Sequence, residues 1–416
     1  MRGITRPIIV ALIGAVFAAC DGQSPVTAPG EPTTQPTTQP TTRPAASGVG
    51  GAPETAAAKV VGERDAAPLY RKQLLSNVYH VDRIFKSMMG PMSRFEFHLW
   101  RSPEPELLWV TGFDAVMAAP DGVEQLSQEF MCHSNLDVDE DRYHKTIQTK
   151  MKFTAGRVFT ISQGQHEVRF PSGCGVPLPS DQSLSLVTQV LNHNITGRTI
   201  LVRHRVGIEF VRDLDLKQPL KPLVGHAVHG MKLVEGGRGY FGIPSRLVDA
   251  HKHGEACSIG DPVDTHHNED DGTGQTFTGF WYVKPGREVN HTRVTQQLDL
   301  PYDTTIHYAM VHLHPYAESL ELRDLTTGQT VYKSKTRQVE DGGIGLAEVE
   351  YYSSEEGLPL YKRHEYQLIS VYNNTSGVDQ DSMAIMLLYV HAKDYSPRSM
   401  ALSDASRKIP SGGQSN

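Results

Sequence analysis

The chain is poor in several things that usually announce a function. Cysteine occurs four times in 416 residues, at Cys20, Cys132, Cys174 and Cys257. With Cys20 set apart for the reason given below, three thiols remain, so at least one stays unpaired or serves another purpose. Long helical periodicity is scarce, which excludes a helical bundle. After the first twenty residues no apolar run is long enough to span a bilayer as a helix. Forty basic and forty-seven acidic residues give a net charge of −7. They are spread without long runs, so no nucleic-acid or anionic-membrane surface is implied. No nucleophilic triad, phosphate loop or dinucleotide fingerprint stands out. The glycine-rich Glu235-Gly-Gly-Arg-Gly239 lacks the strand–helix context that binding phosphate requires.

The N-terminus is a targeting segment. Arg2 and Arg6 precede the apolar run Ile8 to Ala19, and Phe17-Ala-Ala-Cys20 resembles the lipobox of a bacterial lipoprotein signal peptide. That resemblance implies removal of residues 1–19, lipidation of Cys20, and an exported protein anchored in a membrane, facing the periplasm or the cell exterior. An ordinary secretory signal, with Cys20 incidental, leads equally to export. Residues 20–70 are rich in Pro, Thr, Ala and Gly. They have little apolar surface to bury and are expected to form an extended spacer.

From about residue 75 short β-branched and aromatic runs alternate with Gly, Pro, Asp and Asn. Examples are Phe95–Trp100, Leu107–Phe113, Ser183–Val190, Thr199–Val206, Thr276–Val283, Leu320–Arg323, Gln367–Tyr372 and Ala384–Val390. The pattern predicts an all-β protein of two tandem antiparallel β-sandwiches, jelly-roll-like, over residues 71–222 and 223–400, followed by a tail at 401–416. A helix is expected near Ala67 to Met88. Lys217 to Leu223, with two prolines, suits a junction between the sandwiches.

Tyr308-Ala-Met-Val-His-Leu-His314 carries the most chemistry. Strand side chains alternate faces, so His312 and His314 project to the same side. Two convergent imidazoles make half of a transition-metal site. Met383, in the strand-like Asp381 to Tyr389, offers a thioether, and soft sulfur favours copper over zinc or magnesium. Met386 breaks the alternation with Met383 and reads as packing.

Taken in order, these segments resemble the copper type II, ascorbate-dependent monooxygenases, the family of peptidylglycine α-hydroxylating monooxygenase. Its H-x-H strand is followed by a polar turn and another strand, as Leu320 to Val331 is here. Asp381-Ser-Met383 is similar to its acidic residue two positions before a ligand methionine. The resemblance runs over roughly residues 95 to 395 and implies that His312, His314 and Met383 hold the oxygen-activating copper. It also implies a second, electron-transferring copper in the first half. Phe170 to Pro179 followed by Leu184 to His193 resembles the approach to a ligand there, which makes His193 one candidate and His133 another. The family has two adjacent histidines at the latter position, whereas this chain has Cys132-His133. Three completions stay open. Cys132 itself ligates; a histidine such as His144, His166 or His204 joins in space; or Cys132 pairs with Cys174 in a disulfide.

The resemblance further implies two copper ions, a reductant such as ascorbate, and O₂, used to hydroxylate a C–H bond of a small-molecule or peptide substrate. Nucleic acid is not an expected partner. A non-enzymatic copper-binding lipoprotein is the alternative, and an interaction or carbohydrate-binding module with incidental histidines is a third. His251, His253, Cys257, His266 and His267, in a polar stretch ending in Glu269-Asp-Asp271, read as a solvated loop or a further metal site. His226 and His229 are spaced to face a cavity at the domain junction or to serve as structural groups.

Overall fold

The computed structural model describes residues 49–151, 156–234, 239–243, 268–340 and 342–397, all within a compact unit running from Ala46 to Asn416. The first 48 residues with Cys20, the 244–267 stretch with Cys257, and residues 398–416 lie outside the described residues. No helix among the described residues is long and apolar enough to cross a membrane.

The fold is all-β. In the first half, strands Met92–His98, Ser183–Val190, Met131–Val138 and Arg157–Ser162 form a four-stranded antiparallel sheet. It faces a larger sheet built on the long strands Leu107–Ala118 and Ile200–Arg212. The edge strand Met92–His98 exposes every other residue up to Glu96, as a half-solvated strand should. Met131–Val138, paired on both sides, is buried along its whole length. In the second half, Gly286–Arg293, Tyr366–Asn374, Ala317–Asp324, Thr330–Gln338 and Leu346–Val349 make a five-stranded sheet. Its partner layer contains Lys221–His229, Ala384–His391, Thr304–Leu313 and Tyr352–Leu360.

The two halves are continuous through one sheet. Cys174–Pro179 runs parallel to Lys221–His229 over two residue pairs, Cys174 with Lys221 and Gly175 with Pro222. Every other pairing is antiparallel among the described residues. An aromatic cluster reinforces the seam. Phe170 packs edge-on against Tyr389 at 4.8 Å and Tyr308 at 5.8 Å, and Phe159 stacks on Phe113 at 5.2 Å. Each polar end is satisfied: Tyr389 Oη donates to the Val158 carbonyl at 2.9 Å, and Gln165 Nε2 donates to Tyr308 Oη at 3.0 Å. The expected boundary at 222/223 therefore falls inside the strand that carries the seam.

Two local expectations are corrected. The region expected to be helical, Ala67 to Met88, holds strands Ala67–Leu75 and Val78–Val81, because both pair with Ile200–Arg212 and that pairing outweighs local spacing. The expectation of an extended spacer up to residue 70 also fails at its end. Lys59–Arg64 forms a hairpin with Ala67–Leu75 through Asp65 and Ala66, both at positive φ (52° and 59°). A two-residue turn of that hand matches strand twist, but it is usually signalled by a glycine, which this turn lacks.

Candidate functional site

His312 lies near the end of the Thr304–Leu313 strand, and His314 directly follows it. Their rings sit 5.3 Å apart, centroid to centroid, with planes crossed at 86°, so the H-x-H pair converges on one side as alternation requires. Pairing with the next strand brings in the methionine. His312 is opposite Ile385 and Leu313 opposite Ala384, which sets Met383 beside His314 one step further along. Tyr372 Oη donates to the Met383 carbonyl at 2.5 Å and fixes that backbone. Met386 is completely buried in the core, which fits packing.

Asp381 completes the arrangement. It sits on Gln380–Ser382, opposite Tyr282 of Trp281–Val283, and Oδ2 lies 3.0 Å from His314 Nδ1. Both side chains are nearly solvent-free, at 4% and 3%. Burial pushes the Asp381 carboxyl up, but His314 and the nearby His193 outweigh it and hold it down to about 2. A carboxylate placed on one ring nitrogen leaves the other as the outward lone pair, the arrangement common around metal-binding histidines.

His312 and Met383 open onto a cavity of about 400 Å³. Ala227, His229, Ile385 and Leu387 extend the second-half wall, while His133, Asn135, Arg157, Thr160, Met88 and Met92 bring in the first half. Burial, then the neighbouring His314, His133, Arg157 and His229, drives the His312 pKa well below its ordinary value. Its ring is therefore neutral at physiological pH, the form that ligates metals. Nδ1 of His312, both ring nitrogens of His314 and Nε2 of His193 are buried without a hydrogen bond, the Asp381 carboxylate facing His314 Nδ1 at 3.0 Å as a close charge contact outside hydrogen-bond geometry. Unsatisfied buried nitrogens are destabilising by about 1–3 kcal/mol each, and a bound cation that accepts their lone pairs removes that penalty. The donor set, imidazole nitrogens beside a thioether, fits copper.

The first-half candidates are distributed differently. His133 faces the cavity, yet both ring nitrogens are engaged: Nε2 with Gln189 Oε1 at 2.9 Å and Nδ1 with Asn135 Nδ2 at 3.0 Å. Burial, followed by Arg157, lowers its pKa to about 4. His193 is half-buried and lies in the electrostatic field of Asp381 and His314. His133 and His193 share no hydrogen bond or ring contact. His204 bonds Ser134 Oγ through Nδ1 at 2.7 Å and packs on Tyr79, while His144 lies near Glu140 on a short helix. No set of three or more His, Cys, Asp and Glu side chains is arranged to hold a metal among the described residues.

The Cys132–Cys174 disulfide does not form. Both are buried free thiols, because Cys132 lies in the four-stranded sheet and Cys174 begins a strand of the large one. Burial pushes the Cys132 thiol up to about 12, so it stays protonated and is a poor ligand without a metal already in place. Of the 251–271 stretch, only Asn268 to Asp271 is described. Asp270 and Asp271 there accept hydrogen bonds from the following turn, Gly272 and Thr273, and His251, His253, Cys257, His266 and His267 lie outside the described residues. His226 is a satisfied structural group, with Nε2 bonded to the Gln297 carbonyl at 2.7 Å. His229 lines the cavity.

Asp381 was visible in the sequence as the acidic residue before Met383, yet nothing local revealed its pairing with His314. Met88 and Met92 gave no signal, since the loop that carries them reaches the cavity only through the fold.

The chain matches no protein-family model and no curated protein. Among solved structures it aligns with the STIV MCP over 80% of this chain and 99% of that one, at 9% identity and a TM-score of 0.26. That likeness is too slight to bear on the site.

Proposed function

We propose that this is an exported, lipid-anchored copper protein that hydroxylates a C–H bond of a small-molecule or peptide substrate, using O₂ and an external reductant such as ascorbate. The metal-holding residues are His312, His314 and Met383. One observation carries the reading: unpartnered, buried imidazole nitrogens stand beside a thioether at the wall of a cavity large enough for a substrate group. Copper held by these residues would supply one-electron chemistry with O₂.

The chain's own groups have separable tasks. Asp381 orients His314 and retains the proton on Nδ1, so Nε2 presents its lone pair. Tyr372 holds the Met383 backbone in place. Ala227, Ile385 and Leu387 give the cavity an apolar wall. Asn135 and Thr160, on the opposite wall, offer polar atoms to orient a substrate.

A second reading, copper binding without catalysis, is favoured by the state of His133. With both nitrogens engaged, it does not offer the lone pair that a second, electron-supplying copper requires. Copper counting on the reduced, full-length protein, together with reductant-dependent O₂ consumption, separates the two. About two ions per chain with O₂ uptake supports the monooxygenase; about one without uptake supports the binding protein. No bound copper removes both.

A further inference from the structure

The cavity has a second set of sulfurs at its rim that the proposed centre does not use. Ser87-Met88-Met89-Gly90-Pro91-Met92 connects the Phe85 region to the edge strand Met92–His98, and Met88 and Met92 both line the cavity that His312 and Met383 share. Unlike Met383, which is 5% exposed, they are open to solvent at 37% and 56%. A soluble protein normally buries thioethers or scatters them. Here two stand at one opening.

The loop is built to hold them there. Met88 has φ +65°, a left-handed conformation that non-glycine residues avoid because Cβ crowds the following carbonyl. Such a conformation persists only where the surroundings impose it, and it tends to mark functional positions. The surroundings are explicit. Met89 N donates to the Lys86 carbonyl at 3.0 Å and Val190 N to the Pro91 carbonyl at 3.2 Å. Gln189 Nε2 donates to the Gly90 carbonyl at 2.9 Å. A Cβ on Gly90 would lie 1.8 Å from the Val190 carbonyl oxygen, so only glycine lets the loop press this closely on the strand. Met89, at 66% exposure, does not line the cavity.

We infer that Met88 and Met92 form a thioether capture site for monovalent soft metal, Cu(I), at the mouth of the cavity, from which the ion passes to the inner residues. Thioethers bind Cu(I) selectively and weakly enough to release it to imidazole. The inference rests on the copper reading of the inner residues, but the two are separable by experiment.

The test uses the full-length protein carrying ¹³C-methyl methionine, titrated with Ag⁺ as a diamagnetic stand-in for Cu(I), each methyl being followed by NMR. Shifts at Met88 and Met92, with Met89 unmoved, support the capture site. If Met383 fails to shift as well, the inner centre is lost while the rim site stands. Shifts at Met383 alone, or at Met89 as strongly as at Met88, overturn the inference. The Met88→Leu/Met92→Leu protein keeps the rim apolar and similarly sized, and it is expected to load Cu(I) from a chelator onto the inner residues about tenfold more slowly. An unaltered loading rate overturns the inference equally.

Discussion

Replacing Asp381 by asparagine isolates what the carboxylate contributes to the proposed centre. The amide is nearly isosteric and keeps an acceptor facing His314 Nδ1, 3.0 Å from the present carboxylate oxygen. What is lost is charge assistance. Hydrogen bonds to charged groups contribute about 1.5–3 kcal/mol and neutral ones about 0.5–1.5. The difference is about 1–1.5 kcal/mol, or close to tenfold in Kd. Asp381→Ala removes the acceptor entirely and leaves His314 free to rotate, so about a hundredfold is expected, the upper end for groups that orient metal ligands. The assay is anaerobic competition with a coloured Cu(I) chelator, with far-UV circular dichroism and thermal melting as controls for folding. The ordering wild type, Asn, Ala is the signature. A folded Asp381→Asn protein binding Cu(I) within twofold of wild type refutes the orienting role, and an equal loss in Asn and Ala assigns it to packing instead.

Met383→Ile preserves the volume of a side chain that is nearly buried and is expected to fold normally, to lose at least tenfold in Cu(I) affinity, and to abolish reductant-dependent O₂ uptake; X-ray absorption on the reduced protein should lose its sulfur scatterer. His204 gives an acid-stability prediction. Burial, then neighbouring His133, lowers its pKa to about 3, so the unfolded chain binds the proton more readily; its contribution is complete above about pH 6.5 and fades as pH falls, by about 2 kcal/mol at pH 5. In His204→Asn, which retains an atom for the Ser134 bond, urea midpoints should fall less steeply between pH 6.5 and pH 5, and an unchanged slope would count against the burial argument. Cys132 and Cys174 are free and buried, so a thiol reagent should label neither in the native protein and both after denaturation under non-reducing conditions; labelling of neither in denaturant would restore the disulfide.

The sequence carried the fold class well because burial and alternation act locally. Ser183–Val190 was legible to the residue, and Ala384–His391 to within one, since each is a dense run bounded by turn chemistry. Asn373 and Asn374, a pair that often turns a chain, complete the Tyr366–Asn374 strand, and the chain reverses further on, near Gly377 at φ +77°. The convergence of His312 with His314 was legible because it needs only the two-residue period of a strand. The partners of that pair were not. Asp381 reaches His314 through sheet register, and His133 arrives from the opposite half, facts set by pairings far apart in sequence. The Cys132–Cys174 disulfide failed for a similar reason: composition allows it, but the two positions fall in different sheets.

The state of His133 is where the geometry bears hardest on function. Gln189 bonds His133 Nε2 with its carbonyl oxygen and the Gly90 carbonyl with its amide nitrogen. One side chain thus ties the first-half imidazole to the methionine loop at the cavity mouth. For His133 to ligate through Nε2, Gln189 must release it, and that release frees an anchor of the loop carrying Met88. Gln189→Ala therefore discriminates between the two readings of the protein. If His133 belongs to a latent second copper site, the variant should bind more copper per chain than wild type at equal free Cu(I), with the added ion sensitive to His133→Ala. If His133 is structural, the copper content stays at the wild-type value and the variant is destabilised by the loss of two hydrogen bonds, one buried and one part-buried, about 1–3 kcal/mol in urea denaturation. A variant that gains no copper while keeping full stability would contradict both accounts of the ring.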